Sequence, residues 1–359
     1  MLPRIQSAGH FAFGPGNKDY LRRAVYNWPL KIDGFGLMMS KLDKVRGLAA
    51  VCFGLLAQVA GADTFVLPPD DVDLIGATST IRSRYEDTLV QIARDHNLGY
   101  AEIIRANPGV DPWLPGEGTE ILLPTRFILP PVERRGIIIN LPEMRIYYYP
   151  KPAAGETPMV ITHPISIGRM DWTTPLGKSR VISKIKNPSW YPPESIREEH
   201  AADGDPLPKI VPPGPDNPLG AFAMRLSIPG YLIHGTNKPS GVGMRVTHGC
   251  IRMLPEDIET FFARVPVNTQ VRIINMPSKI GWSMDTLYLE VHPVLDDDTE
   301  NLDKNMTTVT EMLVAATREK QITVDWAAAR DIYERAAGVP LQMSVPGNNT
   351  RPGFDPGAP

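Results

Sequence analysis

Proline occupies 37 of the 359 positions, and where those prolines fall limits the fold more than any other feature of the chain. Proline lacks a backbone N–H and fixes φ, so it is excluded from helix interiors and central strands and collects at edges, turns and connections. Because the prolines lie mostly between apolar runs, the chain is read as β-rich with long ordered loops. Its length and a hydrophobic fraction of 42% fit two modest domains of an ordinary soluble protein. A net charge of −3 lacks the basic surplus of a nucleic-acid binder, so no nucleic-acid partner is expected.

The N-terminal part reads as an export signal. Lys41, Lys44 and Arg46 stand against a single acid, Asp43, and precede the apolar run Gly47–Ala57. Ala60-Gly61-Ala62 then supplies the small-x-small pattern of a cleavage site, which makes residues 38–62 a signal peptide and Asp63 the mature start. A membrane anchor is the competing reading, but the apolar run falls well short of the roughly 20 residues needed to span a bilayer. Residues 1–37 resemble neither a signal nor a folded domain and are read as an upstream extension, with Met38 or Met39 as alternative starts. Cleavage removes Cys52 and leaves Cys250 as the single cysteine. Exported proteins normally pair their cysteines or lack them, so a solitary thiol flanked by imidazole is a candidate nucleophile.

A small module is expected over residues 80–126. Leu89, Ile92 and Ala93 share one face of a short helix, with Asp87 as its expected N-cap. Ala101–Ala106 reads as a second helix stopped by Asn107-Pro108-Gly109, and Glu120–Pro124 as a closing strand after a Pro115–Thr119 turn. The residues Asp87-Thr88-Leu89, Ile92-Ala93, Ala106-Asn107-Pro108 and Ile121-Leu122-Leu123-Pro124 resemble the LysM module, which implies binding to N-acetylglucosamine-containing glycan. The alternative is a module that only packs against the next domain.

Strands dominate from Arg135, and the catalytic domain is set at 134–276. Gly136–Asn140 and Met144–Tyr149 read as a hairpin. Met159–Ile167, Ser179–Ile185, Ala221–Ile228, Tyr231–Gly235 and Gln270–Asn275 read as further strands. One helix is expected at Pro255–Arg264, with proline and acids in its first turn and arginine in its last. The expected class is therefore a mostly β domain, a sandwich or barrel-like sheet with a packed helix. It is joined to a small α+β module and to a helical C-terminal extension over 277–340, with helices at Asn301–Glu319 and Val324–Ala337. Residues 341–359, rich in Gly, Pro and Asn toward the end, are read as a disordered tail.

Chemistry concentrates in Ile233-His234-Gly235-Thr236 and Thr247-His248-Gly249-Cys250-Ile251-Arg252. Thiolate is the nucleophilic form, and a free cysteine is mostly protonated near neutrality unless an imidazole or cationic environment lowers its pKa. If residues 248–250 are extended, His248 and Cys250 project to one face while Gly249 lets a substrate approach the backbone. His234, 16 residues upstream of Cys250, would have to arrive on an adjacent strand. A zinc site made of His234, His248 and Cys250 is a second reading, disfavoured because no short-spaced ligand pair accompanies it. A third is that cysteine and histidines are ordinary core or surface residues.

These blocks, the 13 residues that separate His234 from His248, and the segments Gly168-Arg169, Thr173–Gly177, Asn187–Trp190 and Leu287–Pro293 resemble the YkuD-type L,D-transpeptidases. The nearest resemblance is to the periplasmic group that carries an N-terminal LysM module. It implies a peptidoglycan enzyme without cofactor or metal, in which Cys250 attacks the tetrapeptide stem at meso-diaminopimelate and D-alanine leaves. It further implies His234 as general base, the Gly235 carbonyl orienting its ring, and an oxyanion hole from the N–H groups around His248, Gly249 and Cys250. Arg252 would fix the loop or meet a stem carboxylate. The implied acceptor is an amine, either a second diaminopimelate or the lysine of an outer-membrane lipoprotein; hydrolysis by an L,D-carboxypeptidase and a non-enzymatic wall scaffold are the rivals. The proline-rich stretch 191–219 is either a lid over the donor or a passive insertion.

Overall fold

The computed structural model describes residues 63–296, 306–318, 320 and 322–345. The expected upstream extension, signal peptide, the first residues of the 301–319 helix and the tail beyond 345 lie outside the described residues. Among those that are described, no helix is long and apolar enough to cross a membrane.

The chain opens with β1 (Asp63–Val66), β2 (Leu74–Gly76), β3 (Ser79–Arg82), α1 (Leu89–Asp95), α2 (Tyr100–Ala106), β4 (Glu120–Leu123) and β5 (Arg126–Ile128). Strands β3 and β4 pair antiparallel around the two helices, and β2 pairs antiparallel with β5. The N-cap of α1 is Thr88 and not Asp87. Thr88 has extended backbone and its hydroxyl accepts from the Gln91 N–H at 3.1 Å, whereas Asp87 turns back to the Arg84 N–H at 2.7 Å. Helix α2 ends at Asn107, whose amide donates to the carbonyls of Ile103 (2.8 Å) and Leu122 (2.9 Å) and accepts from the Leu122 N–H (2.7 Å), tying the helix to β4.

Next come β6 (Gly136–Asn140), β7 (Arg145–Tyr149), β8 (Met159–Pro164), β9 (Ile167–Gly168), β10 (Gly177–Lys186), α3 (Glu194–Ala202), β11 (Phe222–Leu226), β12 (Leu232–His234), β13 (Arg245–Thr247), β14 (Ile251–Arg252), α4 (Pro255–Arg264) and β15 (Gln270–Ile274). The main sheet runs β1-β8-β7-β6-β15-β10-β11-β12-β14. It is mixed, since β6 with β15 and β12 with β14 are parallel pairs. Strand β10 gives its first residues, Gly177–Arg180, to β15 and the rest to β11, with a register shift between Val181 and Ser183 that bends the sheet there. Helix α4 lays Ile258 and Phe261 on this sheet, with the Phe261 ring edge-on to Tyr148 at 5.6 Å.

Strands β6 and β7 are buried on both faces, which explains why Ile137–Ile139 and Ile146–Tyr149 read as unbroken apolar runs. Ile137, Ile139, Ile146 and Tyr148 face α4 and the interior of the sheet. Their alternate neighbours Ile138, Tyr147 and Tyr149 join Val160 and Ile274 in a second cluster with Leu89, Ile92, Ile103, Leu123 and Phe127 of the N-terminal module. The module therefore shares a core with the sheet. Arg145, fully buried, reinforces the junction: Nε and Nη2 each lie 2.8 Å from one oxygen of Glu102 on α2, and the guanidinium stands 4.0 Å from the Phe127 ring centre.

The extension is not purely helical. It contains β16 (Ser278–Ser283), β17 (Thr286–Val291), α5 (Thr307–Thr317), β18 (Thr323–Val324), α6 (Trp326–Arg335), β19 (Leu341–Gln342) and β20 (Ser344–Val345). A β16-β17-β19 sheet carries α5 and α6 on a core of Leu287, Leu289, Val309, Leu313 and Ile332. Strands β19 and β20 fall where the tail was expected to be disordered. A buried charge cluster joins the sheet to the rest: Lys279 Nζ lies 3.0 Å from Glu143, 2.7 Å from Glu290 and 2.6 Å from the Ile128 carbonyl. Glu143, Glu290 and His292 bring donor atoms within 4.8 Å of one another, and the Lys279 ammonium already pairs with both carboxylates.

Candidate active site

Strand β14 runs parallel to β12 with Ile233 opposite Ile251 and His234 opposite Arg252, so pairing closes the gap in sequence between His234 and Cys250. On its other side the motif is held by Ser166, which exchanges main-chain hydrogen bonds with Arg252 at 2.8 and 3.0 Å, and by β9, where Thr247 stands opposite Gly168. Cys250 is thus suspended between two fixed edges.

The expectation of an extended 248–250 segment is overturned. Gly249 has φ +94°, a left-handed conformation that separates β13 from β14 and turns His248 and Cys250 in different directions. A Cβ at Gly249 would come within 2.8 Å of the Tyr231 ring, so glycine is required by space as well as by φ. His248 instead points to Glu199 on α3, its Nε2 donating to Oε2 at 3.2 Å, with the Trp172 ring edge-on at 5.1 Å. Sequence reasoning did not single out Glu199 or Trp172, because neither adjoins the motif in the chain.

Two threonines fix the peptide planes of this turn. Thr174 Oγ1 donates to the Gly249 carbonyl at 2.8 Å and accepts from the Gly168 N–H at 3.0 Å. Thr247 Oγ1 donates to the Cys250 carbonyl at 2.6 Å. A trans peptide sets its N–H opposite its C=O, so tethering the Gly249 carbonyl aims the Cys250 N–H away from Thr174. Thr174→Val keeps the shape and loses the tether; acylation of Cys250 is expected to slow by about tenfold, the cost of one hydrogen bond, in a stopped-flow thiol-acylation assay. An unchanged rate would deny Thr174 that part.

His234 is buried, and its Nδ1 lies 2.6 Å from the Gly235 carbonyl. A carbonyl only accepts, so Nδ1 carries the proton and Nε2 keeps its lone pair. Burial lowers the pKa of His234 to about 4; the charge of Arg252 acts in the same direction and the Gly235 carbonyl opposes both. Burial likewise pushes the Cys250 thiol up, against a backbone hydrogen bond from Leu232 and the Arg252 charge. Cys250 and His234 therefore rest near neutrality as neutral thiol and neutral imidazole. The thiol is partly buried and donates to the Gly230 carbonyl at 3.7 Å. Arg252 is the nearby cation, with a buried Nε that has no hydrogen-bond partner among the described residues. Of the three residues in the zinc reading, His248 has its Nε2 engaged by Glu199.

Beside the site, a cavity of about 340 Å³ opens along Ile167, Gly168, Thr173–Leu176 and Arg245. It shares Thr174 with the Gly249 turn.

Residues 134–273, which contain all of these groups, match the YkuD family, the L,D-transpeptidase catalytic domain. The chain is 36% identical to the probable L,D-transpeptidase YbiS of Escherichia coli K12 over 308 residues, covering 84% of this chain and 99% of that protein. It is 40% identical to the probable L,D-transpeptidase YcfS of the same organism, over 74% of this chain and 86% of the relative. With the probable L,D-transpeptidase ErfK/SrfK of Salmonella typhimurium it shares 37% identity over 81% and 94%. Likeness that runs along nearly the whole of such relatives, through the β12 and β14 motifs and into the strands on either side of them, makes this chain a member of the L,D-transpeptidase family.

Proposed function

We propose that Cys250 is the nucleophile of a peptidoglycan L,D-transpeptidase and that His234 is its base. The observation that carries this reading is the tautomer of His234: with Nδ1–H spent on Gly235, Nε2 of the neutral imidazole keeps its lone pair, the protonation state general-base catalysis requires, and His234 lies on the strand that pairs with the one following Cys250. Sγ adds to the carbonyl joining meso-diaminopimelate to D-alanine as His234 takes the thiol proton. The C–N bond breaks, and the same proton passes to the departing amine of D-alanine, leaving a thioester on Cys250. An acceptor amine then attacks the thioester, gives a proton to His234 and restores the thiol. The Cys250 N–H, aimed by the Thr174 tether, supports the developing oxyanion.

The strand-helix-helix-strand unit β3-α1-α2-β4 supports reading residues 80–126 as a LysM module that holds the enzyme on glycan and raises the local concentration of stems. The signal read over residues 38–62 supports a periplasmic location. The acceptor preferred here is the terminal lysine of an outer-membrane lipoprotein, on resemblance to the wall-anchoring members. Muropeptide and lipoprotein analysis of a deletion strain tests this. Loss of wall-linked lipoprotein with unchanged 3-3 dimers is expected. Selective loss of those dimers assigns a diaminopimelate acceptor, and loss of tripeptide stems alone assigns hydrolysis.

A further inference from the structure

Glu199 places each of its carboxylate oxygens on a different donor beside the nucleophile. Oε2 accepts from His248 Nε2 at 3.2 Å, and Oε1 accepts from Arg169 Nη2. Arg169 adjoins the motif directly, its N–H donating to the Thr247 carbonyl at 3.0 Å. Its Nε is buried with no hydrogen-bond partner among the described residues, so the guanidinium has donor capacity that Glu199 does not use. The arrangement is a carboxylate-binding fork, and a carboxylate sits in it.

That carboxylate comes from the 191–219 insertion, which is fixed at its base and lightly held at its helix. At the base, buried Asn217 donates to the carbonyls of Pro188 (2.8 Å), Pro212 (3.1 Å) and Val211 (3.3 Å), and Trp190 and Val211 exchange two 2.9 Å main-chain bonds. The α3 helix itself buries only Ile196. Elsewhere on the helix Glu194 pairs with Arg197, and His200 Nδ1 lies 3.6 Å from Asp205. With so little apolar surface covered, α3 belongs to the low-stability end of the fold, and the Glu199 bridges are its polar grip on the motif.

We propose that Arg169 and His248 form the recognition site for a free carboxylate of the peptide donor, and that Glu199 occupies this site until the donor displaces it. The proposal rests on the acyl-transfer reading above. The donor carries two suitable groups: the C-terminal carboxylate of D-alanine, which lies one residue beyond the scissile bond, and the side-chain carboxylate of diaminopimelate. Displacement exchanges one carboxylate for another on the same two donors and frees α3 to move off the site. The insertion is on this account a lid that the substrate itself unlatches.

The test measures Cys250 acylation by intact mass against concentration of three tetrapeptide donors: unmodified, amidated at D-alanine, and amidated at the diaminopimelate side chain. Arg169→Gln is expected to raise the half-saturating concentration of the unmodified donor by about tenfold or more, the scale of a charge-assisted hydrogen bond, and to leave one amidated donor unaffected; that donor identifies the recognised carboxylate. Glu199→Ala is expected to lower the half-saturating concentration several-fold, because the internal competitor is gone. An equal loss on all three donors in Arg169→Gln would give Arg169 a purely structural role and overturn the subsite. Weaker donor saturation in Glu199→Ala would overturn the displacement. If the wild-type chain forms no adduct with any donor while remaining folded, the acyl-transfer reading fails, and the subsite with it.

Discussion

Cys250→Ala is expected to eliminate covalent capture of a tetrapeptide donor. Incubated with donor, the wild type gains the mass of the stem less D-alanine, and one equivalent of D-alanine appears in solution. The variant gains nothing, and its D-alanine release falls to the background rate. The effect is total because no second thiol exists among the described residues to take over, and the neighbouring hydroxyls of Thr174 and Thr247 are already donated to main-chain carbonyls. The same adduct on the variant would move the nucleophile elsewhere. Folding is not at issue, since Cys250 is only partly buried and removal of one Sγ leaves the β12-β14 pairing untouched.

His234→Gln is expected to slow acylation by 10²- to 10⁴-fold, roughly the range for loss of a positioned base. Glutamine can still donate to the Gly235 carbonyl, so the loop is preserved while the basic nitrogen is lost. The wild-type pH profile carries a second expectation. With His234 depressed to about 4 and Cys250 raised, the acid limb of acylation lies near 4 and not near the ordinary histidine value. The same shift links folding to pH. The unfolded chain takes up a proton at His234 around pH 6.5 and the folded chain only near 4, so stability is full above 6.5 and declines as pH falls toward 4. A shift of that size corresponds to about 3 kcal/mol, at roughly 1.4 kcal/mol per unit. Denaturant titrations at pH 7 and pH 4.5 read it, and His234→Gln should flatten the difference. A limb at 6.5 with no change in stability would mean that the imidazole is solvated.

Where burial and local signals coincided, the sequence was readable to the residue. Helix α4 has the expected bounds, Pro255–Arg264, because proline at the first turn, acids after it and arginine at the end all act through the same helix geometry. Strands β6, β7, β11, β12 and β15 lie within a residue or two of expectation, since their apolar runs follow their burial. Helix α3 was invisible for the converse reason. It buries one residue, so it has no apolar stripe, and it sits among prolines that argued for a loop. Strands β16 and β17 were absorbed into a helical extension although Leu287–Val291 alternates as a strand does. At the site, the motif residues were identified correctly as neighbours, but their orientation was not. One positive φ at Gly249 sends His248 to a partner 49 positions upstream, and no periodicity encodes a contact between a turn and a helix from a distant insertion. The rise in the Cys250 pKa was equally hidden, because it depends on how far the thiol is withdrawn from water.

The double-sided burial of β6 and β7 bears on how such an enzyme can be cut or recombined. The homologous catalytic segment runs from residue 134 to residue 273, yet Ile138, Tyr147, Tyr149 and Val160 find their cover outside those limits, and Arg145 finds its counter-charge there too. A chain trimmed to that segment would expose an apolar face with a stranded guanidinium in its middle. The family's catalytic segment is therefore smaller than the unit of folding in this chain. Exchange of the N-terminal module between relatives would succeed only if the outward faces of β6 and β7 were exchanged with it, so the two parts are bound to change together even though their chemistries are separate.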